Sequence, residues 1–331
     1  MINVKKFKLG FGPMSQDIVR IISDYTINHK YPLMLIASRN QIDYDSGYVC
    51  KTSELIQQLT NLNNPNLLVC RDHCGPYFSD LDSGLSLEES IIRCKNTIKS
   101  DIQLGFDLIH IDVSKIKIDQ LSYGKILIEY ALDLNPNIML EFGSEDNTGI
   151  DLNSSIGRIE DQLNFLQQYK NNVKFFVTQT GSLTKNGQIG KFDVEANTKI
   201  AKQIHDAGFL FKEHNADYFN LDQILNRKQA GVDSLNIAPQ LGKIQTLTLK
   251  AFAPTELWGD FSRVVYKANK WQRWVDITTT ASMDIATEVS GHYCFNTLEY
   301  SNIIQSIDAH AFKDALENNI KSILNHYRLF D

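Results

Sequence analysis

Cysteine is scarce in this chain, and what there is does not pair. Cys50, Cys70, Cys74, Cys94 and Cys294 are odd in number and form no Cys-x-x-Cys unit. That argues against a disulfide framework and a structural zinc ribbon, and points to reduced thiols. Basic excess is missing too: 33 Lys and Arg face 39 Asp and Glu, for a formal charge of -6. No general basic surface is expected, and nucleic acid is set aside as a partner. No apolar run approaches the roughly 20 residues of a membrane helix. The opening Met1-Ile2-Asn3-Val4-Lys5-Lys6-Phe7 carries no signal-peptide core, so no membrane association and a cytoplasmic location are expected. Internal repeats are absent, as is low complexity beyond an enrichment in asparagine. What remains is a 331-residue chain, 43% hydrophobic and 22% charged, with enough apolar material for one large domain or two small ones.

Short apolar runs of strand character recur along it, at 7–11, 33–37, 67–71, 108–113, 138–142, 173–178, 209–213 and 234–238. Helical spacing fills the intervals, near 15–28, 51–61, 87–104, 119–133, 156–169, 193–207, 219–228 and 241–252. Thr52, Ser86 and Asp193 stand where helix caps are expected. Eight strand–helix units in about 250 residues match an α/β fold of the (β/α)8, or TIM, barrel type. An open doubly wound sheet is the competing topology. The barrel is expected over 1–253. Residues 254–331, which hold Trp258, Trp271 and Trp274, read as a helical C-terminal extension packed on it, with helical stretches near 260–274 and 309–327. His292, Tyr293 and the following Cys294-Phe295-Asn296 read as a packed aromatic cluster, with folding back over the barrel mouth as the alternative.

A barrel of this kind builds its active site from the carboxyl ends of its strands. The runs end in reactive side chains: Arg39, Asn40 and Gln41 after the second, Arg71-Asp72-His73 after the third, and Asp112 after the fourth. Glu141 and Glu145 follow the fifth, Gln179 the sixth, His214 and Asp217 the seventh, and Asn236 the eighth. Strand ends three and seven can bring His73 and His214 together across the mouth. Two imidazoles plus an oxygen donor, Glu145 or Gln179, make a three-ligand divalent metal site with a position left for substrate. Such a metal polarises a carbonyl, and Asp72, with Glu145 as a second candidate, is the acid or base that moves a hydroxyl proton. This equipment suits retro-aldol cleavage or epimerisation beside a carbonyl. Asn40, Gln41, Asp112, Asp217 and Asn236 are candidate substrate contacts, and Arg39 and Arg71 candidate anion contacts or rim ion pairs. His110 lies inside the fourth run, on the same face as Asp112, and reads as a packed histidine or a supporting one.

Five segments then carry a resemblance: Asp72-His73-Cys74-Gly75-Pro76, Ile109-His110-Ile111-Asp112-Val113-Ser114, Gly143-Ser144-Glu145, Glu213-His214-Asn215-Ala216-Asp217-Tyr218 and Ile237-Ala238-Pro239-Gln240-Leu241. With Ser38-Arg39-Asn40-Gln41 and Gly47-Tyr48, their order over residues 33–300 resembles the class II tagatose-bisphosphate aldolase subunits usually called accessory or non-catalytic. The resemblance implies a TIM barrel related to class II fructose-bisphosphate aldolases, acting with zinc (Zn2+) on a ketose or ketose phosphate. It places the acid/base aspartate on Asp72 and metal-binding histidines on His73 and His214. The middle histidine of those aldolases is missing, since Thr178-Gln179-Thr180-Gly181 stands there, and the glycine-serine phosphate loop is replaced by Asn215-Ala216-Asp217. An aldolase, an epimerase, a non-catalytic subunit of a partner aldolase and a sugar-binding protein without turnover are all compatible with these residues. A homo-oligomer is expected from the fold.

Overall fold

A computed structural model describes residues 2–60, 64–143, 152–178, 180, 192–275 and 281–331. Among the described residues ten strands run in chain order: β1 (Leu9–Phe11), β2 (Leu33–Ser38), β3 (Ile42–Asp43), β4 (Cys50–Lys51), β5 (Leu67–Cys74), β6 (Leu108–Asp112), β7 (Met139–Gly143), β8 (Val173–Val177), β9 (Leu210–Glu213) and β10 (Ser234–Ile237). Eight of them close a parallel barrel in the order β1-β10-β9-β8-β7-β6-β5-β2. The (β/α)8 reading therefore holds, and each expected run supplies one barrel strand. The two-residue strands β3 and β4 pair with each other in the connection after β2; they are too short for periodicity to reveal.

Between the strands lie α1 (Gln16–His29), α2 (Thr52–Thr60), α3 (Leu87–Leu104), α4 (Gln120–Leu134), α5 (Leu152–Leu166), α6 (Val194–Asp206), α7 (Leu221–Ala230) and α8 (Pro239–Phe252). Local chemistry sets their ends. Ser86 and Glu89 form a reciprocal capping box at the start of α3, and Gly105 closes that helix at φ 93°. Asp193 caps α6 by accepting from the Ala196 amide.

Alternation along the strands sorts the barrel into two layers. Met34, Ile36, Leu68, Cys70, Leu108 and Phe175 form an apolar plug, closed from the amino-terminal side by Val4 and Phe7. Nearer the carboxyl ends, the interior turns polar with His110 on β6, Glu141 on β7, Lys212 on β9 and Asn236 on β10, all buried. The outward-facing residues pack on the helices in the main apolar core.

After the barrel come α9 (Thr255–Ala268), α10 (Met283–Ser290), α11 (Leu298–Ser306) and α12 (Ala309–Tyr327). The helix expected to reach Trp274 stops sooner. Asn269 takes a left-handed conformation, φ 57°, that ends α9, and a short 3-10 turn follows at Lys270–Arg273. On α12, buried Tyr327 donates through its hydroxyl to the Ala216 carbonyl at 2.6 Å, which ties the last helix to the loop after β9. Among the described residues no helix is long and apolar enough to cross a membrane.

Candidate metal centre

In a regular strand Asp72 and His73 would face opposite ways. Here the pairing of β5 with β6 shifts register between Arg71 and Cys74, and His73 adopts φ 46°. A bulge of this kind re-aims side chains, and both residues line the same cavity at the barrel mouth. His110 reaches the group from β6, where it pairs with Glu141 on β7. His214 follows Glu213 at the end of β9.

Asp72, His73, His110 and His214 each offer one ligand atom, and these atoms lie within 4.8 Å of one another. Their orientation is fixed from behind. His73 Nδ1 lies 2.6 Å from Asp112 Oδ2, and His214 Nε2 lies 2.8 Å from Glu141 Oε1. An ionised carboxylate only accepts, so each takes a ring proton and, in the neutral ring that binds a metal, leaves the other nitrogen bare. Those bare nitrogens, His73 Nε2 and His214 Nδ1, face each other at 3.4 Å. Two ligands on one tetrahedral cation with bonds of about 2.0–2.1 Å are separated by about 3.3–3.4 Å. Asp72 Oδ1 lies 3.5 Å from His110 Nδ1 and 3.6 Å from His214 Nδ1, and this buried oxygen has no hydrogen-bond partner. An acceptor left bare among three imidazoles fits a cation.

Electrostatics agree. Burial opposes charge on every group, but His73 and then His214 outweigh it at Asp72 and hold that carboxyl well below the usual range. Lys212, whose Nζ sits 2.7 Å from Glu141 Oε2, does most to counter burial there and brings Glu141 to about 2. Asp112 also falls to about 2 despite its burial, through its bond to His73. Against burial, Asp72 and then Asp112 raise His73 to about 9, whereas at His214 burial wins and the pKa drops. Three ionised carboxylates thus surround the cluster.

Of the expected contacts, Asn40, Gln41, Asp217 and Asn236 line the cavity with Asp72, His73 and His214, and its volume is about 150 Å³. Asp217, buried, is pushed up to about 7 by that burial although its Oδ1 accepts from the Ala238 and Gln240 amides. Asp112 does not line the cavity; it braces His73. Arg39 and Arg71 are corrections to the anion-contact expectation. Arg39 donates to Asp82 at 2.7 Å and to Asp43 at 3.2 Å, and Arg71 donates to Asp101 at 2.7 and 2.8 Å. All of these groups are fully buried away from the cavity, because an unpaired guanidinium outside the barrel wall would carry a heavy desolvation cost. Glu145 and Gln179 lie outside the described residues. Sequence reasoning gave His110 no ligand role and missed the parts played by Glu141 and Lys212. Inward alternation from Asp112 was the available signal for His110.

The segment around His292 is an aromatic cluster and also reaches the mouth. Tyr293 and Trp274 line the cavity beside Tyr48, with the Tyr48 and Tyr293 rings 4.8 Å apart. His292 packs behind them, 4.2 Å from the Tyr293 ring, with neither ring nitrogen partnered, and burial lowers its pKa to about 3. A depressed folded-state value gives stability that is full above the unfolded pKa near 6.5 and is lost as pH falls toward about 3. Denaturant titrations of wild type and His292→Leu should show the wild type losing ground to the variant by about 1.4 kcal/mol per pH unit across that window. Parallel profiles would show that His292 titrates normally.

No protein-family model and no curated protein matches this chain. Among solved structures, it is similar to a "probable tagatose 6 phosphate kinase" from Sinorhizobium meliloti 1021. The TM-score is 0.76 at 14% identity, over 97% of this chain and 99% of the other. A fructose-bisphosphate aldolase from Campylobacter jejuni aligns with TM-score 0.56 at 13% identity, over 97% of this chain and 88% of its own. Both likenesses span nearly the whole chain, extension included, and at these identities they establish a shared barrel fold.

Proposed function

We propose that the protein is a divalent-metal-dependent enzyme of the aldol class that acts on a ketose or ketose phosphate. The carrying observation is the convergence of Asp72, His73, His110 and His214 at the carboxyl end of the barrel. Three imidazoles are donors that suit Zn2+, with His110 as the third beside His73 and His214. A cation held there supplies a Lewis acid for a carbonyl oxygen. Asp112 and Glu141 hold the imidazoles of His73 and His214 in the required tautomer, and Lys212 braces Glu141. Asp72 lines the cavity with His73 and His214 and, beside the cation, takes the substrate's hydroxyl proton. Asp217, near neutrality, is a second proton carrier lining the same cavity.

That second carrier favours epimerisation as the alternative, since inversion needs proton delivery to either face of a planar carbon. The bracing of His73 and His214, each by its own carboxylate, weighs against a purely non-catalytic subunit. A homo-oligomer, or a partner aldolase chain, and a cytoplasmic setting belong to the same proposal.

Purified protein is expected to take up about one divalent ion per chain, measured by elemental analysis after dialysis against Zn2+. Incubation with ketoses and their phosphates should then give three-carbon products for an aldolase or a configurational isomer for an epimerase. Metal-free protein that binds no cation would contradict the reading.

A further inference from the structure

Resting on that carbonyl-chemistry reading, we infer that the site takes an unphosphorylated ketose, and that Tyr48, Trp274 and Tyr293 form the wall that selects it. The cavity volume of about 150 Å³ is the first constraint. An engineered cavity of about that size holds benzene, so the space at the mouth suits a six-carbon skeleton.

Charge is the second constraint. A phosphate dianion is recognised by guanidinium, ammonium or clustered amide donors. Among the described residues that line this cavity there is no lysine or arginine, while Asp72 and Asp217 are both present. Among the described residues, four cations of the neighbouring loops and strand ends are engaged in ion pairs of their own. Arg39 and Arg71 are sealed into ion pairs with Asp82 and Asp101. At the rim, Lys270 and Arg273 both grip Asp80, each at 2.5 Å.

The same rim contact builds the wall. The Asp80 amide also donates to Asn40 Oδ1 at 2.8 Å, so Asp80 joins the turn after α9 to the loops after β2 and β5. Trp274, one residue beyond that turn, is thereby brought to the cavity that Tyr48 and Tyr293, in ring contact, also line. Aromatic faces suit the C–H faces of a sugar, and a few convergent polar groups fix its orientation. Asn236, 4% exposed, also lines the cavity, with its Nδ2 3.1 Å from His214 Nε2.

The test is calorimetric titration of the zinc-loaded full chain with D-tagatose and D-fructose, each against its 6-phosphate, with zinc content measured in parallel. A free ketose should bind at least about tenfold more tightly than its phosphate, and Trp274→Ala should weaken it by about tenfold at unchanged zinc content. Tighter binding of the phosphates, no binding of either free sugar, or full affinity in both Trp274→Ala and Tyr293→Ala overturns the inference. Any of these at one zinc per chain leaves the metal-enzyme reading standing; absence of zinc defeats that reading first.

Discussion

His110→Ala should lower the affinity for a divalent cation by more than about 100-fold and abolish turnover. Even removal of an outer partner of a metal ligand typically costs about 10–100-fold. His110 is more than an outer partner by position. Its Nδ1 lies 3.5 Å from Asp72 and its ring centroid 4.9 Å from that of His214, on a strand that pairs it directly with Glu141. With the ring gone, two histidines and one carboxylate remain. His205→Ala is the control, because that ring pairs with Asp233 at the surface. Competition with a chromophoric chelator reads both variants. Unchanged affinity in His110→Ala would make this ring a packed histidine of the barrel interior.

Arg71→Met should cost about 3–5 kcal/mol of stability, the range for breaking a buried ion pair from one side. Arg71 meets Asp101 through two parallel hydrogen bonds and donates to the carbonyls of Ala37 and Ile42, at zero exposure of both charged groups. Removing the guanidinium leaves the Asp101 carboxylate and two carbonyls buried without it. The double variant Arg71→Met/Asp101→Leu should recover part of the loss, since the abandoned charge goes with its partner. Urea denaturation measures all three. An Arg71→Met protein of normal stability but impaired anion binding would restore Arg71 as a substrate contact.

The barrel was legible because its strands are buried on both faces and flanked by capped helices, so apolar runs and start signals repeat with a fixed rhythm. Asp72, His73 and His214 were legible for a related reason: strand ends of this fold point to one mouth. Arg71 misled because a strand-end arginine looks alike whether it turns into the mouth or outward, and only its distance from Asp101, 30 residues away, decides. His110 was harder, since a histidine inside an apolar run satisfies the same pattern as a packed one. Its proposed role depends on the inward layer it shares with Glu141 and Lys212, which strand pairing assembles. The aromatic wall lay beyond reach for the same reason. Tyr48 and Tyr293 are 245 positions apart, and Asp80 joins their segments through charges that resemble ordinary surface residues.

Anomalous diffraction at the zinc edge, from crystals grown with the metal, tests the central assignment most directly. One peak is predicted, in contact with His73, His110 and His214 at the cavity floor. Crystals without a peak there, or with zinc held only at surface carboxylates, would contradict it.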